Sequence, residues 1–209
     1  MNKFIIALVA SFALILSGCA VNEVTFPVDG QKVRSILVPP AINESNEAVA
    51  DNMLTNTISY RLSERGYYVF PVNTISMILQ HEGLFEAEKI QQKPTSELCD
   101  MFKADTVLFT KILNWESVYG VFSTKTYVKI QYTLVDKDGN QLFSKIYDGA
   151  YDPSGRNDSV MAMITNMIVS AVERSAPSYF YAADQANVKM TTSNFGPGHY
   201  LIKYLQTKK

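Results

Sequence analysis

The stretch that most limits the fold is "STKTYVKIQYTLVD", residues 123–136. Val128, Ile130, Tyr132 and Leu134 fall on one side of an extended chain, and Lys129, Gln131 and Thr133 on the other. A period of two held over that length is a β-strand with one packed face and one wetter face. Two more strand-like runs flank it, "DTVLFTKILNWESV" before and "NQLFSKIYDGAY" after, the second joined through "DKDGN". Asp-Gly and Gly-Asn supply the positive φ of a tight hairpin. Three such runs predict an antiparallel meander. "DKDGN" also opens like a calcium-binding EF-hand loop. Counted from Asp136, however, the sixth and twelfth positions are Gln141 and Tyr147, where that loop needs Gly and Glu.

The first half has a different rhythm. "KVRSILVPP" reads as a buried strand over 33–38 stopped by Pro39-Pro40, because proline cannot continue a central strand. Ser45 or Asn46 is the expected cap of a helix whose Ala50, Leu54, Ile58 and Leu62 recur every four residues. Gly66 is its expected stop. "YYVFPV" is a second strand, Thr74 the expected cap of a second helix, and "KPTSELCDMF" opens a third. After the meander, residues 160–172 carry apolar side chains on more than one face, which predicts a core helix packed on the sheet, with a dimer contact as the alternative. The order β-α-β-α-α-β-β-β-α predicts an α/β (α+β) fold, a mixed sheet of about five strands with helices packed on it. The expected domain spans 32–175. Residues 176–209 are expected to form a C-terminal helix and an irregular tail around Gly196-Pro197-Gly198.

The N-terminus says where such a domain is placed. Lys3 is the first charge, and residues 4–16 are unbroken apolar or small residues ending in Leu16-Ser17-Gly18-Cys19. A short positive end, an apolar run of about 7–15 residues and small residues form a secretory signal peptide, whereas a membrane span needs about 20 apolar residues. Leu16, Ser17, Gly18 and Cys19 match the bacterial lipobox at every position. That match implies cleavage of residues 1–18 and diacylglycerol on the Cys19 sulfur, since only a thiol gives the thioether. Two or three acyl chains anchor stably, at about 0.8 kcal/mol per buried CH₂. Ala20 in place of Asp resembles the outer-membrane sorting signal, and either face of that membrane stays open. Residues 19–31 read as the lipidated Cys and a tether.

Charge and cysteine usage exclude several functions. Losing residues 1–18 removes Lys3 and takes the formal net charge from −1 to −2, which argues against nucleic acid as a partner. With Cys19 lipidated, Cys99 has no partner for an internal disulfide, and its helical pattern with Leu98 and Phe102 suits a small buried side chain. His81 and His199 stand in no ligand-spaced cluster and beside no nucleophile motif. Glu44 and Glu64 could pair as carboxylates, but caps and solvated faces account for both. The expectation is a non-enzyme with no metal and no cofactor beyond the covalent lipid on Cys19. Trp115, Tyr119 and Phe122 surround a turn at Gly120 and are the candidate interaction residues. The alternative is that Trp115 packs under the sheet edge.

"SILVPPAINES", "LSERGYYVFPV", "ADTVLFTKILNW" and "TLVDKDGNQLFSKIYDGAY" together resemble a family of bacterial outer-membrane lipoproteins of CsgG-type operons. That family more often has Trp where Phe143 stands. The likeness covers roughly 31–175, and the motifs mark a fold with no chemistry attached to them. The family is similar in turn to the N-terminal domain of TolB and to the curli channel lipoprotein CsgG. The resemblance implies a TolB-like α/β domain and an accessory or scaffold role in an envelope export assembly. The implied partners are envelope proteins, a CsgG-type lipoprotein among them, with a homodimer as a further option. Two other functions stay open: regulation of a cell-wall (peptidoglycan) enzyme, which would need a tether long enough to cross the periplasm, and small-ligand binding.

Overall fold

The computed structural model describes residues 25–120, 124–153, 160–175 and 179–208, leaving aside the side chains of 160, 174 and 175. Its strands are β1 (Ser35–Leu37), β2 (Ile42–Asn43), β3 (Tyr68–Val69), β4 (Thr106–Tyr119), β5 (Thr124–Asp136) and β6 (Gln141–Tyr151). Its helices are α1 (Ala50–Glu64), α2 (Val72–His81), α3 (Ala87–Gln91), α4 (Thr95–Phe102), α5 (Val160–Ser175), α6 (Tyr179–Asn194) and α7 (His199–Thr207). The sheet runs β3-β1-β4-β5-β6, parallel where β1 meets β3 and β4, and antiparallel through β4, β5 and β6. The mixed sheet and the meander are those expected. The addition is β2. Pro39-Pro40 ends β1, yet the chain rejoins the same edge of β4, with Ile42 opposite Lys111 and Asn43 opposite Ile112.

The sheet is covered on both faces. On one, the α1 stripe of Ala50, Leu54, Ile58 and Leu62 is fully buried against Ile36, Leu108, Ile130 and Leu134. Each large side chain there contributes about 1.5–3 kcal/mol by leaving water. On the other face, α2, α3 and α4 cover Leu37 and Val107 with Ile75, Leu79, Ile90, Leu98 and Phe102. Cys99 lies in this second layer, buried and free, and burial pushes its thiol up to about 11. The β5–β6 turn is tight. Gly139 takes φ 84°, and the Asp136 carboxylate accepts from the amides of Asp138 and Asn140 and from the Asn140 side chain.

Local starts and stops depart from expectation in two places. Ser45 does not cap α1: its hydroxyl donates to Asn43 Oδ1 at 2.6 Å inside the preceding turn, and the helix begins at Ala50 with no side-chain cap. Thr74 lies inside α2, which starts directly after Pro71, whose fixed φ of −60° suits a helix entry. The stop at Gly66 is as expected, with φ 87° just past the helix end.

The larger corrections concern the last third of the chain. The expected C-terminal helix is present over Tyr179–Asn194, but with Phe195 it belongs to the core. Ala182, Ala183, Ala186, Asn187, Met190 and Phe195 are buried, and their small residues let α6 lie close along α1. Asn187 sits between the layers. Tyr132 Oη donates to its Oδ1 at 2.7 Å, while its Nδ2 donates to Leu54 O at 3.1 Å and to Thr57 Oγ1 at 2.7 Å. Asp184 holds Arg61 through two bonds of 2.7 and 2.5 Å. Periodicity could not show this, because α6 carries polar residues at buried positions that only a matching partner makes tolerable. The tail is ordered too: α7 is a helix packed at the Gly66 turn. The expected tether also ends early. Val28 is buried, its amide donates to Asn194 O, and its carbonyl accepts from Gly196 N.

Candidate interaction surface

The long strands give the domain two ends. At about 3.3 Å per residue, β4 separates them by about 40 Å. One end gathers Val28, Phe195, Gly66 and α7. The other gathers Tyr119, Thr124, Tyr151, the start of α6, and α5.

Trp115 belongs to the far end, and of its two readings the structure has the packed one. It is 4% exposed and stacks edge-to-face on Tyr179 at 6.1 Å. The cause is a β-bulge between Ile112 and Asn114. Before it, the inward residues of β4 are Leu108, Thr110 and Ile112; after it they are Trp115, Ser117 and Tyr119. One extra residue exchanges the faces, and no sequence period announces it. Tyr119 is half-buried. It lines one notch with Glu47 and Tyr179, and the Tyr179 phenol is held above its ordinary range first by burial and then by these two neighbours. Phe122 lies outside the described residues, as do Leu16, Ser17, Gly18 and Cys19. Trp115 and Tyr119 thus line a notch of about 460 Å³ with Glu44, Glu47 and Glu116 rather than standing out as anchors. Glu44 pairs there with Lys111 at 2.7 Å, and Glu64 pairs with Arg61 at 2.6 Å, so the two carboxylates do not form a site.

The exposed apolar surface is on α5 instead, which corrects the expectation of a core helix. Its buried positions are Ser170 and Glu173, with Ala162, Asn166 and Val169 half-buried beside them. Met161, Met163, Ile164, Met167, Ile168 and Val172 face outward, with Met161 72% and Ile168 61% exposed. The helix is therefore turned with its small and polar side inward and its apolar side to solvent. The sequence shows the apolar residues but not their direction, because α6 had already taken the place under the sheet. Phe180 and Tyr181, at the start of α6, are also exposed. Soluble domains seldom leave so continuous an apolar face uncovered unless something binds it. No helix among the described residues is long and apolar enough to cross a membrane.

Residues 28–197 match the family model described as "Putative lipoprotein GNA1162-like", so the likeness runs past 175 and through α6. A protein of Neisseria meningitidis serogroup B described as a "Putative lipoprotein" is 27% identical over 180 residues, covering 84% of this chain and 83% of the relative. The crystal structure of lipoprotein GNA1162 from Neisseria meningitidis superposes with a TM-score of 0.54 at 26% identity, over 68% of this chain and 99% of that one. The PelC dodecamer from Paraburkholderia phytofirmans is similar at a TM-score of 0.49 and 14% identity, over 81% of this chain and 93% of that one.

Proposed function

Since the chain belongs to the GNA1162-like lipoprotein family, we propose that it is held in the outer membrane by lipid on Cys19 and works there without catalysis, as an accessory component that docks another envelope protein. The observation that carries this reading is the outward apolar face of α5. From 160 to 172 that helix has no charged residue, and its Met-rich surface suits an apolar protein groove, since methionine is enriched at interface cores. A helix built to lie in a lipid interface would instead carry Lys and Arg along its polar side. An export assembly containing a CsgG-type lipoprotein is the setting the sequence resemblance favours. Regulation across the cell wall is disfavoured: the docked Val28 is nine positions beyond Cys19, a reach of about 30 Å when extended.

Two experiments test the proposal. Cys19→Ser should give an unprocessed chain that takes up no palmitate, and normal labelling of that variant would remove the anchor. A photo-crosslinking side chain at 161 or 168, activated in intact envelopes, should give one discrete adduct with a different protein, lost in Ile164→Glu. An adduct of two copies of this chain would replace the accessory role by self-association, and no adduct at either site would end the docking reading.

A further inference from the structure

The end opposite α5 has its own unpaired chemistry. α7 has no fully buried residue, yet it is fixed to the domain: Gly198 N donates to Arg65 O and Tyr200 N to Gly66 O. The contact is close enough that a Cβ on Gly198 would lie 2.4 Å from the Gly66 backbone. Leu201 and Ile202 turn inward, while Tyr200, Tyr204 and Leu205 are each about half exposed, at 52%, 53% and 52%. Lys203 lines a notch with Arg34 and His199, and Lys208 lies over the Tyr204 ring at 4.8 Å. Asp184 is the last acidic residue of the sequence, so α7 carries only positive charge. The acids nearby are engaged: Asp29 with Lys32 at 3.9 Å, and Asp105 with the amides of Arg34 and Ser35. Tyrosines beside lysines on a short amphipathic helix are the chemistry of a bilayer interface, where the rings sit at headgroup level and the ammonium groups meet phosphate.

Position selects the occupant. The first described residue, Thr25, is six residues beyond Cys19, so a lipid there keeps the membrane within about 20 Å of it. Phe26, Val28 and Gln31 adjoin Ile202 of α7. The tether therefore delivers this face, and not α5, to the bilayer. We infer that α7 with Arg34 is a seat on anionic phospholipid headgroups, which holds the domain upright on the membrane and points α5 away from it. The inference rests on the lipid anchor proposed above but not on what α5 binds.

The test uses the lipidated chain in vesicles of phosphatidylethanolamine and phosphatidylglycerol, or of phosphatidylcholine. A fluorophore is placed at Thr207→Cys, or at the far end at Glu116→Cys, with a quencher on the lipid headgroups. Quenching at 207 is expected in the anionic vesicles, little in the neutral ones, and none at 116. Each cation contributes about 1 kcal/mol at an anionic surface, about fivefold in the seated population, so Arg34→Gln with Lys203→Gln should lower that population by about 25-fold. Raising salt on the unsubstituted chain should do the same without any change of sequence. Equal quenching at 207 and 116, or quenching at 207 indifferent to lipid charge, salt and the double substitution, would overturn the seat. Intact mass separates the failures: lipid on Cys19 with 207 unquenched removes the seat alone, whereas a chain without lipid removes the anchor and the seat together.

Discussion

Replacing Asn187 should unfasten α6 from the sheet. Its amide is fully buried and joins α6 to two other elements, through Tyr132 of β5 and through Leu54 and Thr57 of α1. In Asn187→Ala, Thr57 Oγ1 still donates to Met53 O at 2.6 Å, so that hydroxyl keeps a partner. Tyr132 does not: its hydroxyl is fully buried, burial already holds its pKa well above the ordinary range, and its acceptor is gone. An orphaned buried hydroxyl costs about 1–3 kcal/mol, and the void left by the amide raises the total to about 2–4 kcal/mol. Tyr132→Phe alone leaves Asn187 Oδ1 unpaired, at about 1–2 kcal/mol. The double variant orphans neither group, so its cost should fall short of the sum by about 1–2 kcal/mol. Urea unfolding of the four proteins, with m unchanged, measures this coupling. Costs that add to within about 0.3–0.5 kcal/mol, or an Asn187→Ala midpoint equal to that of the parent, would refute the network and the place of α6 in the core.

Three further outcomes are expected. Cys99, with its thiol pushed up to about 11 inside the second layer, should resist iodoacetamide at pH 8 in the native protein and react on unfolding; rapid native labelling would contradict its burial. Gly198→Ala should detach α7, because its Cβ would meet the Gly66 backbone at 2.4 Å; faster amide exchange over 199–207 with the core unchanged is the readout, and unchanged exchange would count against the close contact. Asp136 is held below the usual carboxylate range, first by the Asn140 side chain. A depressed pKa gives stability that is present above the unfolded value of about 4 and lost as pH falls through the folded one. Asp136→Asn should therefore flatten the fall of Tm below about pH 4, and an unchanged acid limb would show that the turn does not contribute.

The sequence by itself determined the elements that follow a period. The alternation of 128–134 and the four-residue spacing of 50, 54, 58 and 62 fixed which faces of β5 and α1 are buried, because a strand or helix repeats its geometry along its length. It also fixed the Gly66 stop and the Asp136–Asn140 turn, where local backbone demands name the residues. The direction of α5, the burial of Trp115 and the value of Asn187 were decided only by the tertiary structure. One residue inserted at 113 turns Trp115 inward. A small-residue helix, α6, fits closer to α1 than the bulkier α5 can, and this leaves the methionines of α5 facing water. Asn187 becomes a core residue because Tyr132 and Thr57, distant in sequence, complete its hydrogen bonds. Periodicity reports what one element wants to bury; which element obtains the site depends on the shapes of all those that compete for it.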